Sequence, residues 1–350
     1  MSIWESATFS VTDVGNIVSN FPPAFSQENN KELNLENIKW SPDSTKISFT
    51  VWNTLEPGIG GVWIADFTDT SFSLEIQEFS TYQSWWLDEE TILVDWHCGS
   101  PCEGLTAYKN GELLWELPWQ TAGQFVLSSS NEFLINTGRI MGREPFATVE
   151  EVDLATGEIN VIWQATEPGY FPLFPPSLSP DNNFVSFHFG GSDPWLDPGT
   201  LYVIDRNGRS YGQRPNSIIM DWRPDGGPMV KESVAEGQTQ LVHWPRDGVA
   251  TQVFANTPSL LFGDGKWSGD GRFFIYSAVD KAEDKSYLYL WRPESGAPTL
   301  LHTAEGTDGF HNFAWLPDST GVYFNLGQTE LWKFDVETDA LTLIASSKEN

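Results

Sequence analysis

Apolar and polar residues alternate in short runs along most of this chain. Gly321-Val322-Tyr323-Phe324-Asn325 is followed by Leu331-Trp332-Lys333-Phe334-Asp335 and Leu341-Thr342-Leu343, with turn-forming residues between them. A period of two over about four to eight residues marks a strand with one buried face, and intervening Gly, Pro, Asn and Asp mark turns. The same order of segments recurs upstream. A Trp-x-Pro-Asp-like turn closes an inner strand, an alternating strand follows, and a third strand tends to end in Asp, as in Val62-Trp63-Ile64-Ala65-Asp66 or Leu201-Tyr202-Val203-Ile204-Asp205. The hairpin to a fourth strand carries Asn110-Gly111, Thr156-Gly157, Asn207-Gly208, Asp247-Gly248 or Ser295-Gly296. Asn-Gly and Asp-Gly accept the positive φ that a two-residue turn demands.

The units centre on Trp40, Trp86, Leu127, Leu178, Trp222, Trp267 and Trp315, at spacings of 46, 41, 51, 44, 45 and 48 residues. A mean of about 46 lies in the range of four-stranded propeller blades. The predicted fold is all-β: a seven-bladed β-propeller of four-stranded antiparallel blades, at about 35–80, 83–120, 123–166, 173–212, 217–256, 260–303 and 309–347. Each unit holds four strands of contiguous sequence, so no N-terminal strand is needed to close the ring. Residues 1–34 form a short irregular leader, in which Thr8 to Val11 could add to an edge and Asn20 to Asn30 reads as a linker.

In Trp222-Arg223-Pro224-Asp225-Gly226 the proline sets φ for a type I turn, the aspartate hydrogen-bonds nearby backbone, and the glycine accepts a left-handed exit. Asp43, Asp181, Asp225, Asp270 and Asp318 are therefore read as turn residues rather than a catalytic set. The preceding tryptophans are expected to pack between neighbouring sheets.

The units at Trp40, Trp222, Trp267 and Trp315 resemble the TolB-like, WD-type β-propeller repeat, which places Trp-Ser-Pro-Asp-Gly before an Ile-x-Phe-type strand. The resemblance covers about residues 35–347. It is partial at Leu178, which keeps Ser179-Pro180-Asp181, and weak at Trp86 and Leu127, where Leu87-Asp88-Glu89 and Ser128-Ser129-Ser130 replace the turn. It implies a fold and no particular activity. The periplasmic Tol protein has an additional N-terminal α/β domain that a leader of this length does not supply, so a role in the Tol system is not expected. The propeller of prolyl-oligopeptidase-type enzymes also looks similar, without their hydrolase domain.

Composition narrows the partners. Forty-eight acidic residues against 19 basic ones give a net charge of −29, which repels phosphate backbones and anionic headgroups. Nucleic-acid binding and membrane insertion are not expected, and no run approaches the roughly 18 apolar residues of a membrane span. The N-terminus lacks a signal peptide's regions. The two cysteines, Cys98 and Cys102, stand four apart; a disulfide is the leading reading, with free thiols or a metal site with His97 as alternatives. A disulfide implies an oxidising compartment, in keeping with the periplasmic or extracellular setting frequent in the resembling family. An extracytoplasmic location is expected, with any signal sequence removed or lying outside this chain.

Irregularity gathers on the face carrying the second-to-third strand connections and the links between blades. It falls at Trp96 to Cys102, Gly138 to Pro145, Glu167 to Pro176 and Gly190 to Pro198, on blades 2 to 4. Loops on a rigid scaffold are where binding residues reside. The predicted function is non-catalytic recognition of a protein, peptide or glycan by a monomer, through Arg139, Arg143, Tyr170, Phe171, Asp193, Trp195 and Asp197. The aromatic pair Tyr170 and Phe171 could equally cover a blade edge. No cofactor is expected. The alternative is a metal-dependent polysaccharide lyase or hydrolase, which needs His97, His188, His243, His302, His311 or acidic residues to converge near the central channel. No Gly-x-Ser-x-Gly elbow is present, and Gly263-Asp264-Gly265 reads as a loop too short to cradle phosphate.

Overall fold

The computed structural model describes residues 34–52, 61–67, 71–76, 81–99, 102–117, 124–137, 147–167, 169, 171, 174–190, 199–235, 238–245, 250–254 and 260–347. Side chains of 34–36, 51–52, 71–76, 81–82, 96–99, 102–103 and 235 also lie outside the described residues, as does the leader. The described strands form seven four-stranded antiparallel sheets, each built in sequence order from one contiguous stretch. The molecule is a seven-bladed β-propeller. Its inner strands are Asn34–Trp40, Thr81–Trp86, Gln124–Leu127, Ser177–Leu178, Ser217–Trp222, Leu260–Trp267 and Phe310–Trp315.

The core sits between blades. Val62 of blade 1 packs with Trp86, Ile92 and Val94 of blade 2, and Phe184, Leu201 and Val203 of blade 4 pack with Trp222, Val230 and Trp244 of blade 5. The other apolar clusters likewise join consecutive blades. Inner-strand tryptophans fill these wedges and reach back one blade. The Nε1–H of Trp222 donates to Ser177 Oγ at 2.8 Å, that of Trp86 to Lys39 O at 3.2 Å, and that of Trp315 to Lys266 O at 3.1 Å.

The first turns close as their chemistry predicts. Asp43 accepts from Thr45 N at 3.1 Å, Asp181 from Asn183 N at 3.1 Å, Asp225 from Gly227 N at 3.2 Å, Asp270 from Arg272 N at 3.1 Å and Asp318 from Thr320 N at 3.0 Å. The serine before the proline has a role the motif alone does not reveal. Ser179 and Ser268 are buried, each hydroxyl donating to its turn aspartate while accepting from the backbone N–H five residues on. The two divergent turns are chemically equivalent: Asp88 accepts from Glu90 N and Thr91 N at 2.7 Å, and Ser128 Oγ from Phe133 N at 3.2 Å. Ser268→Ala strands the Phe273 N–H in a buried site, so a loss of about 1–3 kcal/mol is expected in denaturant unfolding. Gly269→Ala, at an exposed turn position, serves as the near-neutral comparison.

Basic residues are few, and many described ones bridge seams. Arg206 of blade 4 grips Glu151 of blade 3 with two 2.7 Å bonds and lies 3.8 Å from the Phe133 ring centroid. Arg214 pairs with Glu232 across blades 4 and 5 and lies over Trp244. Arg223 donates to Gly271 O in blade 6 at 2.9 Å.

Candidate functional site

Inner strands face the central channel, and several carry a bulge. The register slips between Glu36 and Lys39, Thr81 and Gln83, Ile219 and Asp221, Phe262 and Gly265, and His311 and Ala314. A bulge adds a residue that re-aims its neighbours and releases backbone groups from the ladder. Gly263-Asp264-Gly265 is therefore a bulge within the strand Leu260–Trp267, not a loop. Both glycines are needed for close approach: a Cβ at Gly263 would lie 2.5 Å from Ser277 Oγ, and one at Gly265 2.5 Å from Phe274 Cζ.

Second strands answer the bulges with polar residues. Three positions past the partner of each wedge residue stand Thr50, Asp95, Thr137, His188, Lys231, Ser277 and Asn325. Several bond inner-strand carbonyls: Thr137 Oγ1 to Gln124 O at 3.0 Å, His188 Nε2 to Ser217 O at 2.9 Å, and Lys231 Nζ to Phe262 O at 3.1 Å.

On blades 5 to 7 the bulges open a cavity of 360 Å³. Ile218, Ile219, Met220 and Phe313 give it apolar wall, and Lys231, Asp264, Lys266 and Asn312 give it polar groups. Lys266 donates to Asp221 Oδ1 at 3.0 Å, and Asp221 also accepts from Trp267 N at 2.8 Å. Burial nevertheless raises the Asp221 pKa, against the pull of Lys266. Burial lowers the Lys231 pKa, partly offset by Asp264.

Two further cavities differ in character. One of 600 Å³ lies over the turns of blades 2 to 4, where Asp88, Asp153, Asn131 and the Arg206–Glu151 pair already hold partners. Another of 490 Å³ lies at the seam of blades 4 and 5, beside Arg214, Glu232, Val234 and Trp244.

Of the sequence-predicted contact residues, Arg139, Arg143, Tyr170, Asp193, Trp195 and Asp197 lie outside the described residues. Phe171 is described and half-buried. Its ring packs 6.4 Å from Trp163, 6.1 Å from Phe187 and 5.6 Å from Phe189, inside the blade 3 and 4 cluster. Trp96 to Cys102 is largely hairpin rather than loop, since Trp96 pairs with Gly104, His97 with Glu103 and Gly99 with Cys102. That register brings the Cys98 and Cys102 backbones to one hairpin end, while both side chains lie outside the described residues.

Three of the described histidines are taken up by aromatic packing, His302 against Phe310 and Trp332. His188 is buried against Phe174 and Ser217 O, and His243 against Trp267 and Trp291. Burial lowers both pKa values, that of His243 to about 4. Among the described residues no group of three His, Cys, Asp or Glu could hold a metal ion.

No family model and no curated protein matches the chain. Solved structures do. Dipeptidyl peptidase 4 of Porphyromonas gingivalis superposes with a TM-score of 0.63 at 9% identity, over 93% of this chain and 54% of that one. Prolyl oligopeptidase B of Galerina marginata gives 0.56 at 11% identity, over 97% and 53%. Oligogalacturonate lyase of Vibrio parahaemolyticus gives 0.51 at 12% identity, over 91% and 80%. The likeness is one of fold. The chain spans about half the length of the peptidases it resembles.

Nothing local in the sequence marks the channel cavity. Asp264 was legible only as one residue of a Gly-Asp-Gly element, and Lys231 only as a charge in an alternating strand. The recurrence of a polar residue at Lys231's register in every blade was the available signal.

Proposed function

We propose that the protein is a non-catalytic recognition scaffold that binds a protein, peptide or glycan through the loop face of blades 2 to 4. The observation that carries this reading is the fate of the reactive side chains: the turn aspartates are saturated by their own turns, and His188 and His243 are sealed within the packing. The alternative reading is a metal-dependent polysaccharide lyase or hydrolase. Arg139, Arg143, Tyr170, Phe171, Asp193, Trp195 and Asp197 are the contact residues in this reading. The TolB-like, WD-type repeat and a Cys98–Cys102 disulfide fit an extracytoplasmic setting. Among the described residues no helix is long and apolar enough to cross a membrane.

Binding of the purified chain to peptide and glycan arrays tests the proposal. Trp195→Ala and the pair Arg139→Ala, Arg143→Ala should each weaken the recognised ligand at least about tenfold while leaving the melting temperature in place. Stoichiometric transition metal, lost on chelation together with glycan cleavage, would sink the binding-only reading.

A further inference from the structure

Charged groups on the seams of this molecule stand in contact with opposite charges or carbonyls, as at Arg206–Glu151 and Lys266–Asp221. Asp264, in the channel cavity on blades 5 to 7, breaks that rule. It is exposed on the cavity wall, and among the described residues its carboxylate makes no hydrogen bond or ion pair. Lys231 lines the same cavity, and its ammonium donates to Phe262 O alone, leaving further donors of the three it carries. The two charges influence one another, since Asp264 supports the protonated lysine against burial. They do not meet as a salt bridge. Ile218, Ile219, Met220 and Phe313 line the same cavity.

We propose that this cavity binds a zwitterion bearing an apolar side chain, a free α-amino acid or dipeptide, with its carboxylate on Lys231, its ammonium on Asp264 and its side chain on the Met220 and Phe313 wall. The charge pattern decides among ligand classes. A bare anion meets the carboxylate of Asp264 and the field of a chain carrying −29. A bare cation meets Lys231 and Lys266. A neutral apolar molecule desolvates both charges without pairing either. A zwitterion pairs both ends and carries no net charge through the surrounding field. A volume of 360 Å³ lies at the small end of ligand pockets, which suits one or two residues rather than a longer chain. The site is separate from the loop face of blades 2 to 4, so its failure leaves the proposed recognition function standing.

Titration calorimetry on the full chain tests it, with L-leucine, L-methionine and Leu-Leu as probes and N-acetyl-leucine and leucine amide as controls. Saturable binding of leucine, methionine or Leu-Leu at millimolar concentration is expected, at least about tenfold tighter than either control. The tighter of leucine and Leu-Leu identifies the source. Asp264→Asn alters one exposed side chain and keeps its shape; it should abolish the preference for leucine over N-acetyl-leucine. Lys231→Met should abolish the preference for leucine over leucine amide, and if that buried change prevents folding, Asp264→Asn decides alone. Absence of saturable binding to all three probes overturns the proposal. So does equal affinity for leucine and N-acetyl-leucine, or an Asp264→Asn protein that still discriminates between them.

Discussion

Trp222→Ala is expected to destabilise the propeller by about 4 kcal/mol in urea or guanidinium unfolding. Trp222 is 6% exposed and packs against Phe184, Leu201 and Val203 of blade 4 as well as Val230 and Trp244 of its own blade. Truncation removes most of a large apolar surface and leaves a cavity that two rigid sheets cannot collapse to fill. It also strips Ser177 Oγ of its indole donor. Trp222→Phe keeps most of the area and loses the hydrogen bond, so about 1–2 kcal/mol is expected. Trp315 occupies the corresponding place but is only half-buried, packed at the edge of the blade 6 and 7 cluster. Its alanine variant should lose roughly 1–2 kcal/mol. Equal losses at Trp222 and Trp315 would refute wedge packing as the source of the effect.

Acidification should destabilise the protein through His243 before Asp43 titrates. His243 is 6% exposed, and its pKa falls from 6.5 to about 4 through burial, with Arg223 adding to the fall and Asp225 opposing it. The folded state holds the imidazole neutral while the unfolded chain protonates it near 6.5. The stabilisation is thus complete above pH 6.5 and is lost as pH falls from 6.5 to about 4, to a limit of about 3 kcal/mol. His188, lowered in the same direction, adds to the loss. Asp43, held down to about 2 by Ser41 and Thr45, withdraws its contribution only between 3.8 and 2. Protonating surface carboxylates works the other way, by relieving the self-repulsion of a chain at −29. The informative quantity is therefore the difference between wild type and His243→Phe, which removes the titration and keeps a ring beside Trp267 and Trp291. The variant should gain on wild type steadily from pH 6.5 to 4.5 in urea midpoints. Parallel pH profiles would rule out His243 as the acid-sensitive group.

Much of this architecture was legible because its causes are local. Strand alternation, Pro-Asp turns and Asn-Gly hairpins each act within a few residues, and repetition at about 46 residues turned weak local signals into a count of blades. The turn aspartates and wedge tryptophans were assigned on the same grounds and occupy those places. Even the divergent Asp88 and Ser128 turns hold by the same bonds, because geometry asks only for an acceptor near the returning N–H and not for a particular motif.

The class of fold, the number of blades and the assignment of the repeated aspartates to turns follow from local residue patterns. Which side chains share a space depends on how the strands pair and the blades pack. Lys231 and Asp264 are 33 residues apart and belong to different blades, and they line one cavity because the ring sets the second strand of blade 5 beside the inner strand of blade 6. The bulges that turn Met220, Asp264 and Phe313 toward the channel depend on register against a second strand. A one-residue slip reverses which face a side chain occupies, and that slip is fixed by pairing between strands rather than by any residue read alone.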